Sequence, residues 1–221
     1  MNKESKILLS LGLGTVVLLI AGSFFFSRPV TEKTTETPSP VDTALLTNAQ
    51  AYKKGAEAPQ VIVVEFADFQ CPACAAAAPV SKQIAEEYKD SVQFVYRHFP
   101  LPMHKNAEAA AYAAEAAGEQ GKFWEMHDLL FSTQKDWEDE ANAAPKFEAL
   151  AKQLSLDMTK YAESVKSQKT KDNVNAGLRD GNAAGVNSTP TFFINGIRYV
   201  GVLSATELKN AVESARTSAT N

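Results

Sequence analysis

The tightest constraint on this chain is the stretch EFADFQCPAC, residues 65 to 74. It holds both cysteines of the 221 residues, Cys71 and Cys74, with Pro72 and Ala73 between them. It opens within VIVVEFA (61–67), an apolar run rich in valine. That pattern predicts a strand covered on both faces. Pro72 suits a first helical position, where its missing N–H costs nothing. A helix is therefore expected from Cys71, kinked at Pro79 and running to about Lys89. Residues 92–97, VQFVYR, predict a second strand, so the chain opens on a βαβ unit with the cysteine pair at the strand-to-helix turn.

From about Lys105 to Ala184 the pattern is helical, with Gly118 and Gly121 separating two of the helices. Strands return with TFFI (191–194) and IRYVG (197–201), joined by the tight turn Asn195-Gly196. Ser204 to Glu207 is a capping box that opens a last helix. The order is βαβ, helical block, ββα. The outer pieces have the elements of one mixed sheet with helices on both faces, and the block is inserted between them.

The N-terminus bears on the compartment. Residues 7–26 carry no charge and are long enough to cross a bilayer as a helix. Lys3 and Lys6 precede the run and Arg28 follows it, favouring a cytoplasmic N-terminus over residues 1–6. We expect a transmembrane anchor; a cleaved signal peptide ending near Ala21-Gly22-Ser23 is the competing reading. Either places the rest of the chain outside the cytoplasm. Residues 27–49 are expected to be a linker, because SRPVTEKTTETPSPVDT has too few apolar groups to fold. The net charge of -4 gives no basic footprint for nucleic acid.

A CxxC at a helix start brings the two sulfurs onto one helical face. The first lies among unpaired N–H groups at the positive end of the helix dipole, which favours its thiolate. Cys71 is thus the candidate attacking and attacked sulfur, and Cys74 the resolving one. A structural zinc site usually needs four Cys or His ligands, and the histidines available, His98, His104 and His127, lack metal spacing. An inert disulfide over so short a loop stabilises little. CxxC beside a βαβ pattern points to thioredoxin-like redox chemistry. Glu65 is a charge on an otherwise apolar strand, costly unless it has a partner or a task; a carboxylate that reaches water at the strand end is the alternative. The histidines read as structural or surface groups, and Phe123, Trp124 and Phe131 as core.

On EFADFQCPAC, on FPLPMHKNAEAAAYAAEAAGEQGKFWEMHDLLF (99–131) and on NSTPTFFINGIRYVG (187–201), the chain resembles DsbA-type thiol–disulfide oxidoreductases. It is most similar to the membrane-anchored bacterial, BdbD-like kind, over roughly residues 50 to 217. The resemblance implies an α/β thioredoxin fold (50–103 and 185–217) with an inserted α-helical domain (104–184). It implies that Thr189-Pro190 forms a cis-proline loop packed against the CxxC, and that substrate backbone pairs with Thr189. Pro72 and Ala73 would face the substrate, and Glu65 would be a buried acid near Cys74. The best-known oxidases of the family carry histidine where this chain has Ala73, so a less oxidising pair is expected. The implied activity is donation of a disulfide to cysteine-containing exported proteins by a monomer without cofactor, metal or nucleic acid. Reoxidation would come from a membrane quinone-linked thiol oxidase of the DsbB, BdbC or VKOR-like kind. A disulfide isomerase or reductase, and a thiol-based copper-binding or chaperone module, are the alternatives. Related isomerases carry an extra dimerisation domain for which the linker is too short, and no cluster of methionine or histidine ligands is seen.

Overall fold

The computed structural model describes residues 40–48 and 51–219. The expected anchor at 7–26, residues 1–6 and the first part of the linker lie outside them. Among the described residues, no helix is long and apolar enough to cross a membrane.

Among the described residues, five strands form one sheet in the order β1-β3-β2-β4-β5. They are β1 (Tyr52–Gly55), β2 (Val61–Ala67), β3 (Val92–His98), β4 (Thr191–Ile194) and β5 (Ile197–Val200). β2 pairs parallel with β3 and antiparallel with β4, so Glu65 lies between Tyr96 and Phe192. β1, not foreseen in the sequence, pairs antiparallel with β3. Its residues YKKG offer no apolar run, because it is an edge strand with alternate side chains in solvent.

The faces of the sheet explain the unbroken apolar pattern of β2. Successive side chains point to opposite faces. Val61 and Val63 pack under α2 (Pro72–Glu87) and α8 (Ala205–Ala219), with Ala77, Ile84, Leu208 and Val212. Val64 and Phe66 pack on the other face with Leu46, Val95, Val186 and Phe193. By the same alternation Glu65 shares the face of Val63, beneath α2.

α2 is one continuous helix through Pro79. Pro79 is on the exposed side of the helix, where a carbonyl deprived of its partner is open to water. The helix ends at Glu87, slightly short of the expected Lys89. The hairpin turn is as read, with positive φ at Asn195 (46°) and Gly196 (84°), the demand of a two-residue turn. The capping box is also present: the Glu207 carboxylate accepts from the Ser204 N–H, and the Ser204 hydroxyl caps the Glu207 N–H.

The linker reading needs correction at its C-terminal end. Residues 43–46 form a short helix, α1 (Thr43–Leu46), capped by Asp42, and Leu46 is wholly buried. Arg97 accounts for this. It is buried on β3, and a buried guanidinium needs acceptors. Asp180 and the Leu45 and Leu46 carbonyls at the open end of α1 supply them.

Between β3 and β4 the chain runs through α3 (Ala107–Gly118), α4 (Phe123–Ser132), a 3-10 turn (Gln134–Asp136), α5 (Ala144–Gln153), α6 (Met158–Ser164) and α7 (Gln168–Ala183). Small side chains let α3 sit at the centre of this block: Ala110, Ala113, Ala114 and Ala117 are all buried there. Around them lie Phe123, Met126, Leu130, Trp137 and Phe147. Ala67, Phe69, Cys71, Cys74 and Tyr96 belong to the same apolar cluster, so the strand-to-helix turn is seated in the core of the block.

Candidate active site

Cys71 is the N-cap of α2, in extended backbone (φ -73°, ψ 121°), with Pro72 first in the helix. Both cysteines are free thiols. Cys71 keeps 7% of its surface exposed and Cys74 none. Cys71 Sγ lies 3.4 Å from the Thr189 carbonyl oxygen, and the Thr189–Pro190 peptide is cis. Pro72 is exposed and Ala73 half-buried, so the expected substrate-facing residues lie around the one sulfur that solvent reaches.

The two thiols are held far apart in acidity. The Cys71 thiol is lowered to about 5. The largest cause is a hydrogen bond from the Cys74 thiol; burial opposes it, and Thr189 and the Cys74 and Ala73 N–H groups add to it. The helix N–H groups contribute less to this than the neighbouring thiol. Cys74 is pushed strongly up, first by burial and then by Cys71, although the Asp68 N–H donates to its sulfur at 3.5 Å.

Glu65 does not reach water. It is 1% exposed, and neither carboxylate oxygen has a hydrogen-bond partner. Burial raises it to about 7, against the Ser81 hydroxyl and the charge of Lys54. Its charge in turn adds to the raising of the Cys74 thiol. Lys54 reaches inward from β1 over the Trp124 ring, 4.4 Å from its centroid.

A family model described as thioredoxin matches residues 47–214. This chain belongs to the thioredoxin family. Among solved structures, this thioredoxin-family chain is similar to a thioredoxin-like oxidoreductase from Silicibacter pomeroyi (24% identity, TM-score 0.68, 80% of this chain and 98% of that one). It is also similar to the thiol-disulfide exchange protein alpha-DsbA2 from Wolbachia pipientis (21%, TM-score 0.69, 78% and 90%). A third is the catalytic domain of Proteus mirabilis ScsC (20%, TM-score 0.65, 79% and 94%). These likenesses are of fold, the one expected of a DsbA-type protein. Curated relatives include Na(+)/H(+) antiporter NhaA 3 of Salinispora tropica, 42% identical over 164 residues, 74% of this chain and 24% of that protein. Another is Na(+)/H(+) antiporter NhaA of Herminiimonas arsenicoxydans, 32% identical over 163 residues, 74% and 25%. The chain spans about a quarter of the length of the curated relatives it matches.

The thioredoxin-family site also uses residues that the sequence did not single out. Asp68 follows β2 with its carboxylate fully buried. It accepts from the Gln70 N–H (2.7 Å) and the Leu101 N–H (2.9 Å), and His104 Nδ1 lies 2.6 Å away. Gln134 donates to the Phe69 and Cys71 carbonyls at 2.7 and 3.1 Å. Gln70 accepts from the Asn106 N–H. These contacts tie the CxxC turn to the β3–α3 loop and to the helical block. Asp68 carried a signal, a short acidic residue just before a helix start; Gln134, far along the chain, carried none. Two of the three histidines are held inside the fold: His98 pairs with the buried Glu115 at 3.0 Å, and His127 is buried against Asp128.

Proposed function

We propose that this chain is an extracytoplasmic thiol–disulfide oxidoreductase that donates the Cys71–Cys74 disulfide to cysteine-containing exported proteins. The observation that carries the reading is the asymmetry of the pair: an acidic, reachable Cys71 over a buried, strongly basic Cys74. A thiolate stabilised in the reduced form makes the disulfide reactive and oxidising.

In the oxidised protein a client thiolate attacks Cys71 Sγ. The Cys71–Cys74 bond breaks, a client–Cys71 bond forms, and Cys74 leaves as a thiolate that takes the proton of Glu65. A second client thiolate then attacks the client sulfur, and Cys71 leaves as its stabilised thiolate. The client has lost two electrons and the pair has gained them. No bound cofactor is required by this scheme. Reoxidation is assigned to a membrane quinone-linked thiol oxidase, and residues 7–26 to the single-pass anchor that keeps the domain beside it; both rest on the apolar run and on the DsbA-type resemblance. Ala73 leaves Cys71 without the imidazolium of the histidine-bearing oxidases, so the pair is a milder oxidant than theirs.

The test is trapping in cells. Cys74→Ala leaves Cys71 able to form mixed disulfides and unable to close its own pair. Client complexes accumulate on non-reducing gels and vanish on reduction, while Cys71→Ala gives few or none. Equal trapping by both variants overturns the assignment of the attacking thiol.

A further inference from the structure

We propose that Ser81 is a positioning residue for the dithiol chemistry, its hydroxyl turning to donate to the Glu65 carboxylate once that group, in its proton exchange with Cys74, is ionised. The inference rests on the thiol–disulfide reading above and deepens it.

The observation is a pair of orphans. Ser81 Oγ and both Glu65 oxygens are buried without a hydrogen-bond partner. Unpartnered buried polar atoms oppose folding and are rare in native interiors. Here both lie in one helix–sheet contact, Ser81 on the buried side of α2 between Ala77 and Ile84, and Glu65 on the face of β2 that those residues cover. Cys74, Ala77, Ser81 and Ile84 form the buried stripe of α2, at the spacing that puts side chains on one face. Glu65 lies on the strand below that face, with Phe192 opposite on β4. The Ser81 hydroxyl stabilises the charged form of Glu65, ahead of the Lys54 charge. Glu65 thus lies under a stripe that has Cys74 two turns from Ser81.

The other ionisable groups around Glu65 do not substitute for Ser81. Lys54, from β1, has its ammonium over the Trp124 and Phe94 rings. Tyr96, from β3, is the neighbour in register, and its hydroxyl donates to the Ala67 carbonyl at 3.4 Å. Cys74, from α2, is the proton's other terminus. Ser81 is left as the hydroxyl with no other engagement, and a serine can donate in whichever rotamer the carboxylate requires.

The step it serves is resolution of a mixed disulfide at Cys71. The Cys74 thiol gives its proton to the Glu65 carboxylate. The Cys74 sulfur bonds to Cys71 Sγ, the bond from Cys71 to its partner breaks, and the partner leaves as a thiolate. Removing the Ser81 hydroxyl weakens the carboxylate form, so Glu65 is ready to accept only at higher pH. The midpoint of the pH–rate profile is expected to rise by about one pH unit, the scale of one hydrogen bond to a charged group.

The experiment uses the mixed disulfide of Cys71 with glutathione, its release by Cys74 being followed from pH 5 to 9. Ser81→Ala is expected to move the midpoint upward, Ser81→Thr to keep it near the parent value, and Glu65→Gln to remove the inflection. Ser81→Ala combined with Glu65→Gln is expected to match Glu65→Gln alone. Infrared titration of the Glu65 carboxyl, assigned by difference from Glu65→Gln, reads the same upward shift without turnover. A Ser81→Ala profile and titration superimposable on the parent protein's overturn the role of Ser81. A parent protein that never releases glutathione overturns the exchange reading, and this inference with it.

Discussion

At the residue scale the site works by holding like groups in unlike surroundings. Cys71 ionises near 5 in the folded reduced protein and near 9.0 when exposed. Between these values the native state carries the thiolate while the unfolded chain holds its proton, so native stability rises with pH. The contribution is complete above 9.0 and is lost as pH falls through about 5. The oxidised protein has no such thiolate. The melting temperature of the reduced form, relative to the oxidised form, should therefore climb from pH 5 to pH 8; a difference that stays flat over that range contradicts the ionised Cys71. Glu65 has the opposite sign. Burial raises it from 4.5 to about 7, so ionised Glu65 penalises the native state increasingly as pH rises between those values. Glu65→Gln should leave stability little changed at pH 4 and raise it at pH 8, by on the order of 3 kcal/mol at most. Thermal melts at the two pH values check this, and an equal effect at both counts against a buried ionising carboxyl.

At the element scale the turn holding the cysteines is clamped from outside its own βαβ unit. Gln134→Ala would leave the Phe69 carbonyl without its side-chain donor, while the Cys71 carbonyl keeps the Ala75 N–H. An unpaired buried carbonyl costs roughly 1–3 kcal/mol, and urea denaturation should show a loss of that size. α7 docks equally closely. A Cβ on Gly177 would lie 2.2 Å from the His98 carbonyl oxygen, backbone against backbone. Gly177→Ala should therefore lose about 2 kcal/mol in the same assay by forcing the helix away from β3. Neither contact is visible in sequence. β2, the CxxC helix, the Asn195-Gly196 hairpin and the Ser204 capping box were legible because each is written locally, in periodicity or in turn chemistry. β1 and α1 were not. Their four-residue stretches carry no period of their own, and they form because β3 offers an edge and Arg97 demands carbonyls.

At the scale of the whole molecule, the two halves of the site come from opposite ends of the fold. The cysteines follow β2 and the Thr189-Pro190 loop precedes β4, and the pairing of β2 with β4 brings them together. Their separate motifs could be read, but their contact is a product of the sheet. Likewise, the valine-rich run announced a covered strand, while the absence of any partner for Glu65 emerges only from the packed layers. The helical block completes the site by enclosing Cys74, leaving Cys71 the reachable sulfur. What this arrangement fixes most directly is the balance between the dithiol and the disulfide, so the decisive measurement is a redox titration of the Cys71–Cys74 pair against glutathione. The account predicts a potential above that of the strongly reducing thioredoxins, about -270 mV, and below the about -120 mV of the histidine-bearing oxidases. A value at or below about -270 mV would contradict a disulfide donor built on a stabilised Cys71 thiolate.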